Sequence, residues 1–319
     1  MSNAQRSGLS VIFPVHNSER WVGQALDALT GQADPGIEIA AVDPGNGPGT
    51  RQIIDVNADH LTLRYSDAED ASGRSAKMNH GAGHAAAAHM SRLCQDDVWL
   101  PDHPAALRNW IANDPAAALH LAPSAIVHRD GRKPGLLHCP LRHSTASFDR
   151  AEVLKKPLVQ ISASVMAPIV RRDASLAAGG IGPLLGHAGD WNLWIKLGHH
   201  GAVRFHDRRT DPFRIHDQSV TSLANADRNV FIARHQIVRD RQFEAPPSRQ
   251  TIRVRQLAEA SAQINADLAA AAHGCAQTLP RAARSVLRFG PRGAGRYLIY
   301  SRIAGRSLPR LRAHFARGL

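Results

Sequence analysis

Residues 94–101 read Cys-Gln-Asp-Asp-Val-Trp-Leu-Pro, and the two adjacent acids in this stretch decide how the rest of the chain is interpreted. Asp96 and Asp97 follow a short apolar run at residues 90–94, which predicts a buried strand that ends in two carboxylates. Two like charges in a buried place are costly, and a divalent cation that brings phosphate ligands would offset that cost. Hard oxygen ligands suit magnesium or manganese. The alternative is a surface turn in which an Asp caps a helix that begins at Pro101.

Upstream of these acids, the chain alternates between short apolar runs and stretches with helical periodicity. We expect strands at residues 9–13, 37–42, 61–65 and 90–94, and helices at about 19–31, 50–58 and 74–88. This alternation predicts an α/β fold with a mostly parallel central sheet flanked by helices. Ligands of such sheets bind at the carboxyl ends of the strands, where His16, Asp43 and the Asp96-Asp97 pair are expected to meet.

The second half is less regular. We expect helices at 101–113 and 190–197, short strands at 203–205 and 213–215, and an Ala-rich helix at about 251–273. Residues 119–127 and 162–170 are further strand candidates, Asp130-Gly131 is a hairpin turn, Gly179-Gly180 is a break, and residues 246–248 form a linker.

Charge is distributed unevenly along the 319 residues. The formal net charge is +12, and residues 281–319 contain ten Arg, no Lys and no acid. The three cysteines have no metal-ligand spacing, and no apolar stretch is long enough to span a bilayer or to form a signal core. We therefore expect a cytoplasmic protein.

Arginines in the basic tail recur every four residues, at positions 284, 288, 292 and 296 and again at 302, 306 and 310. With the apolar residues between them, they predict two basic amphipathic helices, separated at Gly290-Pro291. One interpretation places these helices on an anionic membrane surface, which would make the protein peripheral on the inner face of the cytoplasmic membrane. The other packs their apolar sides on the body of the protein, and both can hold in part.

Five stretches, in this order, resemble the family 2 glycosyltransferases, the large inverting group with the GT-A nucleotide-sugar fold. They are residues 10–17 (SVIFPVHN), 39–43 (IAAVD), 95–101 (QDDVWLP), 189–194 (GDWNLW) and 214–219 (RIHDQS). Each motif alone is weak, but together they cover about residues 8–222. The resemblance implies transfer of a sugar from a nucleotide-diphosphate sugar to a hydroxyl of a saccharide or lipid-linked glycan. A bacterial surface polysaccharide pathway is the common setting of the family.

The resemblance also implies a nucleotide site. His16 stands where the family has an aromatic residue against the base, flanked by Pro14 and Asn17, and Asp43 would hydrogen-bond the base or ribose. Asp96 is expected near the donor ribose or sugar. Along the expected helix beside the diphosphate, Asn79 matches the family pattern, and Lys77 or Arg74 adds positive charge.

Asp97 is implied as the ligand of a divalent metal, Mn²⁺ or Mg²⁺, that bridges the donor phosphates. Asp190 matches the catalytic base, which takes the proton from the acceptor hydroxyl. Its alternative role is that of a helix N-cap. Trp191 would contact the acceptor, and Arg214 and His216 would lie near the diphosphate. Trp194 is expected in the core.

Two positions depart from the family pattern. Pro44 stands where a second acid is usual, and Gly189 stands where Glu often precedes the base. These departures leave open an alternative, a nucleotide-sugar-binding protein with impaired catalysis. Nucleic acid is not expected as a partner, because no recognised module or aromatic-bearing sheet accompanies the basic tail. We expect a GT-A catalytic domain at 1–225, a helical extension at 226–280 and the Arg-rich amphipathic tail at 281–319.

Overall fold

A computed structural model of the chain gives the fold. It describes residues 8–32, 34, 36–45, 48–128, 135–137, 147–148, 168–206, 212–215, 227–242, 249–272, 275–301 and 303.

The first third of the chain follows the predicted alternation closely. Its elements are β1 (Leu9–Pro14), α1 (Val22–Thr30), β2 (Ile37–Asp43), α2 (Pro48–Asn57), β3 (Thr62–Asp67), α3 (Arg74–His84), β4 (His89–Arg92) and α4 (His103–Asn113). The strand before the paired acids was expected to reach residue 94, but it ends two residues earlier, at Arg92. Asp96 and Asp97 therefore stand in a loop just beyond the strand.

The later elements are shorter. They are β5 (Leu119–Leu121), β6 (Ser124–His128), β7 (Gly135–Leu137), β8 (Ser147–Phe148), β9 (Ile169–Arg171), α5 (Arg172–Ala177), α6 (Gly189–Leu197), β10 (Val203–Phe205), β11 (Pro212–Ile215), α7 (Arg228–Gln242), α8 (Arg249–Ala272), α9 (Leu279–Leu287) and α10 (Gly290–Ser301). The run at 119–127 divides into two strands of different sheets, because the chain leaves the first sheet after Leu121. The turn at Asp130-Gly131 and the linker at 246–248 lie outside the described residues.

Eight strands form the main sheet, in the order β3-β2-β1-β4-β9-β5-β10-β8. The first four strands of this order are mutually parallel, and β10 is also parallel to β5. β9 is antiparallel to β4 and β5, between which it lies. The prediction of a mostly parallel sheet is confirmed. A second, three-stranded sheet has the order β11-β6-β7.

Both faces of the main sheet are covered, as the continuous apolar runs of its strands require. Successive side chains of a strand point to opposite faces. Thus Val11 and Phe13 of β1 pack with α1 and α4, whereas Ile12 packs in a second cluster with α6. The parallel register of β1, β2 and β4 brings the residues that follow these strands to a single edge of the sheet.

The C-terminal helices α9 and α10 pack against α8. Ile264, Ala282 and Tyr297 are buried together, and the Tyr297 hydroxyl donates a hydrogen bond to Ser261 Oγ at 2.9 Å. The tail thus packs an apolar side on α8, and its packing on the catalytic body stays a prediction. Leu287 and Ile299 nevertheless remain 69% and 70% exposed. Within the described part of the chain, no helix has the length and apolarity needed to cross a membrane.

Candidate functional site

The loop after β1 is tied to the loop that carries the paired acids. Pro14 ends β1 and is buried, whereas His16 and Asn17 are exposed. The backbone N–H of His16 donates to Gln95 Oε1 at 2.7 Å, and Gln95 Nε2 donates to the His16 carbonyl at 3.2 Å. Asn17 has φ +44°, a left-handed conformation that Asn tolerates better than most residues. Gln95 thus fixes the position of the His16 loop relative to Asp96 and Asp97.

Asp43, the last residue of β2, is buried and held by two donors. The Tyr65 hydroxyl donates to Asp43 Oδ2 at 2.8 Å, and the Gly45 N–H donates to Asp43 Oδ1 at 3.1 Å. Burial raises the pKa of Tyr65, and the hydrogen bond to Asp43 raises it further. Tyr65 therefore stays protonated and acts as a donor that orients the Asp43 carboxylate.

Lys77 extends from α3 to the carboxyl end of β1. Its Nζ donates to the Val15 carbonyl at 2.7 Å, and the side chain is buried. Burial lowers the pKa of Lys77, and the negative charge of Asp43 offsets part of that effect. The ammonium group is thus held between the ends of β1 and β2, where it adds positive charge to this edge of the sheet.

The Asn79 side chain forms hydrogen bonds with the backbone of Ile181. Its Oδ1 accepts a hydrogen bond from the Ile181 N–H, and its Nδ2 donates to the Ile181 carbonyl, both at 2.8 Å. The neighbouring Gly180 has φ +60°, and a Cβ there would lie 2.3 Å from Asn79 Oδ1. Asn79 therefore anchors the segment that leads to α6, and these contacts favour a positioning role over direct contact with a nucleotide.

Three candidate metal ligands meet in the loop after β4. One ligand atom each from Cys94, Asp96 and Asp97 lies within 4.8 Å of the others, and Asp97 is buried. Burial raises the pKa of the Cys94 thiol to about 12, with the two neighbouring acids contributing, so the carboxylates are the stronger ligands. Carboxylate oxygens suit Mg²⁺ or Mn²⁺, which commonly take their remaining ligands from phosphate and water. The donor set therefore fits the expected ion.

Asp190 lies in the first turn of α6 and is clamped by two arginines. Arg92 Nη1 lies 2.9 Å from Asp190 Oδ1, and Arg74 Nη1 lies 3.0 Å from Asp190 Oδ2. Asp190 is only 2% exposed and Arg92 is equally buried, whereas the Arg74 side chain is 24% exposed. Burial tends to raise the pKa of Asp190, but the charges and hydrogen bonds of Arg74 and Arg92 outweigh it and hold the pKa below its usual value.

Trp191 and Trp194 are both buried on α6. The Trp191 ring lies 5.0 Å from that of His235 on α7, and Trp194 belongs to the cluster beneath the main sheet. The expectation that Trp194 belongs to the core is confirmed. The burial of Trp191 favours packing against α7 over stacking on an acceptor sugar.

Close packing around position 189 explains why this residue is a glycine. A Cβ there would lie 2.6 Å from Ile181 Cγ2, so the Glu that the family often has at this position does not fit the present backbone. Arg214 belongs to β11, where it pairs with Val127 of β6, and its side chain lies outside the described residues, as does His216.

Of the predicted site residues, Pro14 and Asp43 end β1 and β2, His16 and Asn17 follow β1, and Asp96 and Asp97 follow β4, so the parallel register places them at one edge of the sheet. The negative charges of Asp190 and Asp97 both act on the Arg92 guanidinium, so Arg92 interacts with both acids. The sequence analysis missed Arg92, Gln95 and Tyr65. For Arg92 a signal was present, because a charged residue in a strand expected to be buried requires a partner.

The strand order, the acids at the strand ends and the flanking helices define the GT-A fold of nucleotide-sugar transferases. A TarS fragment from S. aureus, in a complex with UDP-GlcNAc, superposes with a TM-score of 0.63 at 15% identity, over 97% of this chain and 92% of that one. The mannosyltransferase PcManGT from Pyrobaculum calidifontis, in a complex with GDP-Man and Mn²⁺, gives a TM-score of 0.58 at 16% identity, over 97% and 86%.

The chain belongs to glycosyl transferase family 2, whose family model matches residues 10–174. An uncharacterised glycosyltransferase from Rickettsia prowazekii (strain Madrid E) is 22% identical over 219 residues. That match covers 68% of this chain and 66% of the relative, slightly less than two thirds of the relative's own length.

Proposed function

We propose that the protein is an inverting glycosyltransferase that moves a sugar from a nucleotide-diphosphate sugar to a hydroxyl of a saccharide or lipid-linked glycan. The observation that carries this proposal is the ion pair between the buried Asp190 and Arg92, the last residue of the strand that leads into the acidic loop with Asp97. A charge-stabilising group and a proton acceptor at one edge of a sheet are the two parts that such a displacement needs.

The donor would lie along the ends of β1 and β2. In this proposal His16 stacks on the base, beside Pro14 and Asn17, and the Asp43 carboxylate, oriented by Tyr65, accepts a hydrogen bond from the base or ribose. The complexes of TarS with UDP-GlcNAc and of PcManGT with GDP-Man make these two nucleotide sugars the first donors to test.

The diphosphate would lie between α3 and the acidic loop. Lys77 supplies a cation from α3, Asp97 would hold a divalent ion, Mn²⁺ or Mg²⁺, and Asp96 would lie nearer the donor ribose or sugar. When bound, the ion neutralises negative charge on the departing diphosphate. Arg214 and His216 are proposed to lie near the diphosphate as well.

The chemistry is a single displacement. The acceptor hydroxyl gives its proton to Asp190 while its oxygen bonds to the anomeric carbon, and the bond from that carbon to the diphosphate oxygen breaks. Attack from the face opposite the diphosphate inverts the anomeric configuration. The low pKa of Asp190 keeps it ionised, and hence able to accept the proton, at neutral pH.

A two-stage assay tests this function. Thermal-shift measurements with UDP-, GDP- and TDP-sugars, with and without MnCl₂, identify the donor, and release of the nucleotide diphosphate then measures turnover. Replacement of Asp190 by Asn removes the base and should lower turnover by about 10²–10⁴-fold. Asp55→Asn, an exposed acid on α2, is the matched control. Donor binding without turnover by the wild type would support the alternative, a binding protein with impaired catalysis.

We also propose that α9 and α10 hold the enzyme at an anionic membrane surface, where a lipid-linked acceptor is found. Leu287 and Ile299 are exposed, and Arg284, Arg292 and Arg296 are exposed along the same two helices. The proposal includes a location on the cytoplasmic side, with a catalytic domain at 1–225, a helical extension at 226–280 and the Arg-rich amphipathic tail at 281–319.

The membrane role is best tested by substitution. Deleting residues 281–319 would uncover the buried Ile264, because Ala282 and Tyr297 pack against it. Leu287→Ser with Ile299→Ser removes only exposed apolar surface and should reduce sedimentation with vesicles of anionic lipid. Val56→Ser, which also removes an exposed apolar side chain, is the control. Equal sedimentation of the Leu287→Ser, Ile299→Ser double variant and the Val56→Ser control would rule out this surface as the membrane contact.

A further inference from the structure

The burial of Asp190 conflicts with its proposed role as the base. A base must contact the acceptor hydroxyl at hydrogen-bond distance, yet Asp190 is 2% exposed and each of its oxygens is bound by a guanidinium. Some neighbouring group must therefore move before the acceptor can reach it. The contacts of Asp190 identify which group can do so.

One side of Asp190 borders a small cavity. Asp190 and Arg92 line it together with mostly apolar side chains such as Met78, Ile181 and Trp194, and its volume is about 30 Å³. That volume admits water but not a sugar. Of the two arginines that hold Asp190, Arg74 is the one that is partly exposed to solvent, so among the described residues its side is the one from which an acceptor can reach Asp190 once the guanidinium moves.

The two arginines differ in their freedom to move. Arg92 ends β4 within the main sheet and is fully buried, so displacing it would leave a guanidinium without water. Arg74 is partly exposed and is the first residue of α3, directly after Gly73, which has φ +82°. Its long side chain can leave Asp190 for solvent or for a competing anion without disturbing the helix.

We propose that Arg92 and Arg74 are positioning residues with separate tasks, in which Arg92 is a fixed anchor for Asp190 and Arg74 is a gate that must leave Asp190 before the acceptor binds. This inference rests on the proposed role of Asp190 as the base. The donor diphosphate is the anion that draws Arg74 away, since α3 also carries Lys77 at the proposed phosphate site. Occupation of the donor site would thereby uncover the base.

The charged groups that act on Asp190 come from the elements around it. They are Arg74 of α3 and Arg92 of β4. His187, in the segment before α6, stays neutral near pH 7, because burial lowers its pKa to about 4. Loss of Arg74 removes one of the two opposing charges, so the pKa of Asp190 rises while Arg92 keeps the carboxylate in place.

The decisive experiment measures the accessibility of Asp190 and needs no enzymatic activity. The full-length protein is labelled with a water-soluble carbodiimide and glycine ethyl ester, and each carboxylate is followed by mass spectrometry. We expect Asp190 to be protected in the wild type, labelled in Arg74→Gln, and again largely protected in Arg74→Lys. Arg108→Gln, which removes a partly exposed ion pair with Asp34, should leave Asp190 protected.

A second readout is the pH dependence of donor hydrolysis, in which water takes the place of the acceptor. Water gives a proton to Asp190, its oxygen bonds to the anomeric carbon, and the nucleoside diphosphate leaves. With UDP-GlcNAc or GDP-Man and MnCl₂, the acid limb of the kcat/KM profile, which reports the free enzyme, should lie at higher pH in Arg74→Gln than in the wild type. Arg108→Gln should leave the limb unchanged.

The outcomes separate this inference from the proposed function. If Asp190 stays protected in a folded Arg74→Gln variant, as judged by an unchanged melting temperature, Arg74 is not the gate. Labelling of Asp190 in wild type and variant alike would also overturn the inference. Absence of donor binding and turnover in the wild type would overturn the proposed function instead, and the labelling result would still decide whether Arg74 covers Asp190.

Discussion

Arginine has opposite roles in the candidate functional site and in the C-terminal helices. In the candidate functional site, Arg92 is buried within the sheet and pairs with Asp190 at 2.9 Å. In α9 and α10, Arg284, Arg292 and Arg296 are exposed, and residues 281–319 contain ten arginines and no acid. A guanidinium withdrawn from water needs a carboxylate beside it, whereas an exposed one keeps its hydration. The same residue type therefore fixes internal geometry in one region and provides surface charge in the other.

The sharpest test of this comparison applies the same substitution to both regions. Arg92→Met leaves Asp190 as a buried charge that retains only Arg74, so we expect the free energy of unfolding to fall by about 3–5 kcal/mol. Arg296→Met, on the exposed side of α10, should change it by no more than about 0.5 kcal/mol. Urea denaturation followed by circular dichroism measures both values, and comparable losses in the two variants would contradict the comparison.

The interior also contains a titratable group that stays neutral, and this predicts a loss of stability in mild acid. His235 on α7 is buried, which lowers its pKa to about 3. Between its usual pKa and this value the unfolded chain binds more protons than the folded one, so stability falls as the pH is lowered from about 6.5. The loss attributable to His235 between pH 7.5 and pH 5 is on the order of 2 kcal/mol.

Unfolding measurements at these two pH values test the histidine prediction. The variant His235→Gln should lose less stability between pH 7.5 and pH 5 than the wild type does. The exposed His84 is the matched control, and His84→Gln should retain the wild-type difference. An unchanged pH dependence in His235→Gln would mean that His235 does not carry this effect.

The smallest expected effect concerns a single exposed arginine of the tail. Arg292→Gln should weaken binding to vesicles of anionic lipid by about 1 kcal/mol, or roughly fivefold, because each basic side chain near such a surface contributes about that much. The difference should shrink at high salt. Arg255→Gln on α8, which removes another half-exposed arginine, should bind like the wild type. Equal weakening by both substitutions would indicate attraction by overall charge.

The fold was largely predictable because its first third obeys local rules. The runs at residues 9–13 and 37–42 are continuous and apolar, and the stretches between the strands have helical periodicity. The break at Gly179-Gly180 was also readable, and both glycines have positive φ. The run at 119–127 was harder to interpret, because its division between two sheets depends on pairing with the distant β10 and β11.

The candidate site was predictable in its acids but not in their partners. Asp43, Asp97 and Asp190 each stand in a recognisable motif, and the expected sheet brings the first two to the ends of parallel strands. The pairing of Asp190 with Arg92 and Arg74 crosses 98 and 116 residues of sequence, and no local pattern encodes such contacts. The roles of His216 and of the Arg214 side chain stay predictions.

By itself, the sequence determined the alternation of strands and helices, the acids at the strand ends and the concentration of arginine in the tail. These features follow from periodicity and composition, which act over a few residues. Only the tertiary structure decided that Asp190 is covered by Arg74, that Asn79 anchors Ile181 and that Trp191 packs on His235. Those contacts arise when the packing of α3, α6 and α7 on one another and on the sheet removes polar groups from water and forces each to find a partner.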